Sequence, residues 1–323
     1  MNVFKMNQKA FPGGKPPQAG VAAGGSVTPK RQPKAWSPFT PSGHESLGKI
    51  SRSPGMARRP SDAAIFLVSF LTYLIGIFPS MVYALPTGGT VQAGSATIDS
   101  TSSQLMTIYQ TTDKAIIDWQ AFGIGSTEQV DFQLSQGGVT LNRVTGNDPS
   151  NIFGRLTSNG DLWLINPNGV LFGNSAQVDV HGLIATTSDI SNTNFMSSNY
   201  NFSTPSSLTS TVVNHGSITA AQGGLVALVA PGVQNMGVIT ARLGKVSLAS
   251  GKTFTVDLYG DQLINLGVDS QVMGQVTGGG GQVLTSLVSN SGSIFADGGV
   301  VRLDVNAAQN IVDRVINMDG IIQ

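Results

Sequence analysis

The sequence has no cysteine, which excludes a disulfide framework and any Cys-ligated metal site. Packing and hydrogen bonds alone must hold the chain together, and no crosslink would obstruct threading through a narrow pore. Charged residues make up 11% and aromatics 7% of the 323 positions, while glycine occurs forty times. That balance points away from a helical protein and towards short strands joined by tight turns. With 40% hydrophobic residues the chain can still bury a sizeable core.

The formal net charge is zero, but the charges are segregated. Ten of the eighteen Lys and Arg residues lie within residues 1–62, against two of the eighteen acids, Glu45 and Asp62. The rest of the chain is therefore acidic and offers no electrostatic footprint for nucleic acid. Residues 1–62, rich in Pro, Gly, Ser and basic residues, have the composition of a segment that does not fold alone. Residues 63–84 are apolar and follow Arg58 and Arg59; with Pro79 and the Val82-Tyr83-Ala84 end they read as an extended secretory signal cleaved after Ala84. An uncleaved membrane anchor is the alternative, since about 20 apolar residues can span a bilayer.

Period-two alternation begins after Leu85, most clearly in Gln129-Val-Asp-Phe-Gln-Leu134. Two strand-forming runs, Asp161–Ile165 and Val170–Phe172, are joined by Asn166-Pro167-Asn168-Gly169. This tetrad reads as a turn, with Pro167 presetting φ, Asn168 accepting an αL-like position and Gly169 closing it. Residues 192–210, polar with isolated aromatics, read as an extrahelical loop or hairpin. The chain then repeats a template, x-Asn-x-Gly-x-Ile-x-Ala, at Asn214, Asn235 and Asn290, with a looser match at Asn317. Asn214 and Asn235 are one solenoid coil apart. The expected fold is all-β, a right-handed parallel β-helix with a cap over about 85–130 and coils over about 131–323, the four asparagines serving as turn or ladder residues.

No catalytic or metal constellation emerges, and no cofactor is expected. His181 and His215, the histidines after residue 84, have no third ligand in view even with Asp179 nearby. Gly278–Gly281 lacks the residues of a phosphate loop or a calcium-binding repeat. Asp257, Asp261 and Asp269 would suit a polysaccharide-active β-helix enzyme if gathered on one face, but Gly260 and Gly267 interrupt any shared strand. The chain is read as no enzyme.

Leu141–Gly146, Leu162–Gly173, Gly182–Ile190 and Gly224–Pro231 together resemble the N-terminal secretion domain of two-partner secretion exoproteins of the filamentous haemagglutinin type. The likeness covers about Leu85 to Gln323, and the family's tetrad maps onto Asn166, Pro167, Asn168 and Gly169. A second family tetrad, Asn-Pro-Asn-Leu, is absent. The resemblance implies a capped β-helix delivered by the Sec export machinery. It also implies recognition of the tetrad in the periplasm by modules of an outer-membrane barrel, then export to the surface or medium of a Gram-negative cell. Stopping inside the fourth template match, the chain is expected to be truncated before any effector region. A self-standing surface adhesin or cargo-binding protein with a host-cell or surface receptor is the alternative.

Overall fold

The computed structural model describes residues 3–8, 84–258, 264–267, 270–279, 281–308 and 311–323. Setting aside β1 (Val3–Gln8), the body opens with β2 (Thr90–Ala93) and β3 (Ala96–Asp99), followed by β4 (Leu105–Gln110) and β5 (Lys114–Trp119). β2 lies antiparallel to β5 and β3 antiparallel to β4. The antiparallel pairs cover an edge that would otherwise present unpaired backbone groups. Parallel stacking starts at once below them: β4 on β6 (Gln129–Gln133) and β5 on β7 (Val139–Val144). The cap is thus β2 and β3, and the parallel stack begins near Leu105, before the boundary expected around residue 130. Turns of different length on each coil hide that continuity from a repeat search.

From here each coil contributes strands to three faces. β8 (Ser150–Ile152) opens the third face, and β9 (Arg155–Ile165) spans the first two before β10 (Val170–Phe172) continues the third. The next coil carries β11 (Gln177–Thr186) and, after an excursion holding helix α1 (Asn192–Met196) and β12 (Asn201–Phe202), β13 (Thr211–Asn214). β14 (Ser217–Ala220), β15 (Leu225–Ala230) and β16 (Gly232–Asn235) complete an uninterrupted coil. β17 (Val238–Thr240) and β18 (Lys245–Ser250) follow; a second excursion with β19 (Phe254–Val256) and β20 (Ile264–Leu266) precedes β21 (Ser286–Asn290). β22 (Ser293–Phe295), β23 (Val300–Val305), β24 (Arg314–Met318) and β25 (Ile321–Ile322) end the stack, with β1 parallel to β23. The fold is a parallel β-helix.

Inside the helix, residues at equivalent positions pile up coil on coil. Val178, Ile218, Ile239, Ile294 and Ile322 pair in register along the first face, and the interior cluster runs from Met106 to Val305. Each fully buried Ile, Leu, Val or Phe contributes roughly 1.5–3 kcal/mol, a gain available only when a neighbouring coil covers it. The second face differs. All six residues of β15 are buried, because this sheet is covered outside as well as inside, and such strands read as continuous apolar runs.

The outer cover comes from the two excursions. β12, β19 and β20 form a separate antiparallel sheet, which with α1 encloses a second apolar cluster containing Trp163, Phe195, Tyr200, Phe202, Phe254 and Ile264. Residues 192–210 therefore hold a helix as well as extended chain, and the strand pairs with Phe254 and Thr255 of the later excursion rather than with itself. Ser191 caps α1 by accepting from the Asn194 amide at 3.2 Å. Five residues are too few for a stable free helix; Lys114 Nζ holds its far end, donating to Phe195 O at 3.0 Å and to Ser198 Oγ at 2.6 Å.

The repeat template is explained by coil spacing. A Cβ on Gly237 would lie 2.1 Å from Gly216 O, one on Gly292 2.0 Å from Gly237 O, and one on Gly320 2.2 Å from Gly292 O. Two residues before the first three of these glycines, the asparagines are buried and stacked: Asn214 Nδ2 donates to Asn235 Oδ1 at 2.8 Å, and Asn235 Nδ2 to Asn290 Oδ1 at 2.6 Å. Asn317 does not continue this ladder, which corrects the fourth template match. Gly320 and Ile322 stay in register with the coil above, so Met318 pairs with Asn290, while Asn317 donates to Asp319. The glycine, having no room for a side chain, sets the register and the asparagine yields. Replacing Asn235→Ala strands Asn214 Nδ2 and Asn290 Oδ1 in the core, at about 1–3 kcal/mol for each group. Urea unfolding should show that loss for Asn235→Ala and a change within about 0.5 kcal/mol for Asn317→Ala.

Candidate functional site

The tetrad stands where the chain leaves the second face and enters the third, between β9 and β10. Gly169 N donates to Asn166 O at 3.0 Å, closing a four-residue turn. Positive φ falls on Gly169, at 114°, and not on Asn168. Asn at the first position, Pro at the second and Gly at the fourth suit the turn that keeps negative φ at both centres, so the expected αL role of Asn168 is corrected. A Cβ on Gly169 would also sit 3.1 Å from Thr211 O of the next coil.

Burial divides the four residues. Asn166 and Gly169 are buried, whereas Pro167 and Asn168 are exposed. The Asn166 carboxamide is fully enclosed and satisfied on both atoms. Its Nδ2 donates to Asp148 O and to Ser150 Oγ, each at 3.0 Å, and its Oδ1 accepts from the Asn168 amide at 2.9 Å. Asn168 Nδ2 reaches Gly146 O at 2.9 Å. Every one of these bonds to residues 146–150 ties the corner to the coil above. Below, Ser210 Oγ donates to Pro167 O. The corner thus clamps three successive coils, and Ser150 and Ser210, which complete it, carried no signal in the sequence because neither belongs to a repeat.

Arg143, part of the Leu141–Gly146 segment, is a second anchor that residue patterns did not single out. Its guanidinium reaches Asp118 at 3.1 Å, Asp189 at 2.9 Å, Asn192 Oδ1 at 2.9 Å and Ile190 O at 2.6 Å. A planar fork with five donors suits such a junction. It fastens the root of the first excursion to the outside of the second face, beside the tetrad's coil.

The remaining sequence candidates do not assemble. His181 Nδ1 lies 2.7 Å from Asp161 Oδ1 on an exposed rim, and Asp179 points from the same strand without joining them. No group of three His, Asp or Glu side chains gathers among the described residues. Asp257 is described, but Asp261, Asp269 and Gly260 lie outside the described residues, as does Gly280. The signal sequence expected over 1–84 also lies outside them, apart from Val3–Gln8 and the exposed Ala84. Burial raises the pKa of Asp304, at the far end of the stack, and the Arg302 guanidinium offsets part of the rise. It belongs to the second face and not to a cleft.

A family model described as the TPS secretion domain matches residues 82–323. The chain belongs to this family. It is the secretion domain of a two-partner secretion exoprotein, and the crystal structure of the HMW1 secretion domain from Haemophilus influenzae is similar to it: TM-score 0.56 at 30% identity, covering 74% of this chain and 64% of that one. A heme/hemopexin-binding protein from Haemophilus influenzae is 44% identical over 110 residues, 34% of this chain and 12% of that protein; a second such protein of the species is 42% identical over 127 residues, 39% of this chain and 14% of its own. The chain thus matches only a small part of these relatives' length.

The division within the tetrad yields a stability test. Asn166→Ala leaves the Asp148–Ser150 corner without its donors and should cost about 1–3 kcal/mol. Asn168→Ala, at the exposed tip, should cost less than about 1 kcal/mol. Chemical denaturation of the two variants side by side reads the difference.

Proposed function

We propose that the domain acts as the export signal of its exoprotein, recognised by the periplasmic modules of a dedicated outer-membrane barrel through the Asn166–Gly169 corner. The supporting observation is the split within the tetrad, where Asn166 and Gly169 are spent on the coil and Pro167 and Asn168 face outwards. On this reading residues 1–84 deliver the chain through the Sec machinery and are removed after Ala84. The mature region then crosses the outer membrane and folds outside, where each completed coil opposes backward movement. The domain performs no catalysis; its work is delivery to the cell surface or medium. The exoprotein's own role is attachment or cargo binding, in keeping with the relatives named for heme and hemopexin binding.

Co-expression with the partner barrel in a Gram-negative host tests this. The double variant Asn166→Ala, Asn168→Ala should lower the amount in the medium at least tenfold and leave protein in the periplasm. Asn235→Ala, a loss of stability of similar size away from the tetrad, should be exported nearly as well as the parent. Undiminished export of the double variant, or equal failure of Asn235→Ala, removes the tetrad's assigned role.

A further inference from the structure

The cover over the second face is joined to the coils in an unusual way. β12, β19 and β20 pair with one another and belong to neither coil sheet. They meet the coils through side chains: Trp163 lies 5.2 Å from Phe195, 4.8 Å from Tyr200 and 5.7 Å from Phe202, and Phe202 stacks on Phe254 at 4.2 Å. Polar contacts hold the roots of the excursions, with Thr187 Oγ1 donating to Ser206 Oγ at 2.7 Å and Ser188 Oγ to Lys252 O at 2.8 Å. None of the parts is self-sufficient. A two-residue strand and a five-residue helix do not persist alone in water.

The two kinds of contact also differ in reach along the chain. An uninterrupted coil meets the next about 20 residues on, whereas Trp163 is covered by Phe195, Tyr200 and Phe202, about 30–40 residues downstream, and Phe202 in turn by Phe254, about 50 residues further on. Short loops close at lower entropic cost than long ones, so the inner stack can form first. We propose that α1, β12, β19 and β20 constitute a lid that folds and opens as one unit, after and independently of the inner coil stack. While it is open, Trp163 and the apolar residues beside it on the second face, Leu141, Ile184 and Ala227, are uncovered. This property belongs to the chain itself, whatever its route of export.

Hydrogen exchange on the intact protein in sub-denaturing urea tests it. Amides of α1, β12, β19 and β20 should merge into one opening event and exchange at least tenfold faster than those of β9, β15 and β18. Phe254→Ala should speed exchange in all four lid elements together, leave the coil amides protected, and raise binding of the fluorescent probe bis-ANS. Leu164→Ala, inside the helix, should lower protection in coils and lid alike. A single opening event shared by coil and lid amides in the unmodified protein overturns the proposal. So does a Phe254→Ala variant in which α1 and β12 keep their protection.

Discussion

No coil of this protein can bury its own apolar face; the burial exists only between coils. The spacing between them is therefore the constraint on which everything else rests, and it is set by backbone approaching backbone. Gly216, Gly237, Gly292 and Gly320 form a column in which a methyl group would come within about 2–3 Å of the neighbouring chain. Asn214, Asn235 and Asn290, enclosed beside that column, exchange carboxamide hydrogen bonds that an apolar core would otherwise leave unmade. Backbone contact fixes the rise, and the polar ladder removes the freedom to slip.

The tetrad solves the same problem where the repeat has not yet begun. The coils above it lack the asparagine ladder, whose register positions are held there by Ile152 and Phe172, so Asn166 does by itself what the ladder does later. It bonds upward to Asp148 and Ser150 and organises its own turn through the Asn168 amide. Its carboxamide ties two coils whose sequences have little in common. That makes this corner the place where a regular stack can start from irregular chain, with the antiparallel β2 and β3 closing the end. Arg143 and Lys114, partly buried cations of these early coils, tie the excursion to this part of the stack.

Much of this was legible in the residues, and the rest was not for identifiable reasons. The repeat and the tetrad are local patterns, so the β-helix and its corner could be read directly. Asn317 misled because a pattern match gives equal weight to asparagine and glycine, whereas packing does not. The lid left two traces. One was the unbroken apolar runs at Leu162–Ile165 and Leu225–Ala230, which only two-sided burial explains. The other was the scatter of aromatics in residues 192–210, whose partner Phe254 lies too far along the chain for spacing to reveal. Asn168 and Gly169 both tolerate the left-handed conformation, so residue type alone does not show that the turn places it on Gly169.

If the stack starts at the tetrad, Asn166 should already be bonded in the folding transition state, while the ladder asparagines of later coils are not. Stopped-flow refolding and unfolding of Asn166→Ala and Asn290→Ala measures this most directly. The account predicts that Asn166→Ala slows refolding with little change in unfolding, and that Asn290→Ala mainly speeds unfolding. An Asn166→Ala variant that refolds at the parent rate and loses its stability through faster unfolding would contradict it.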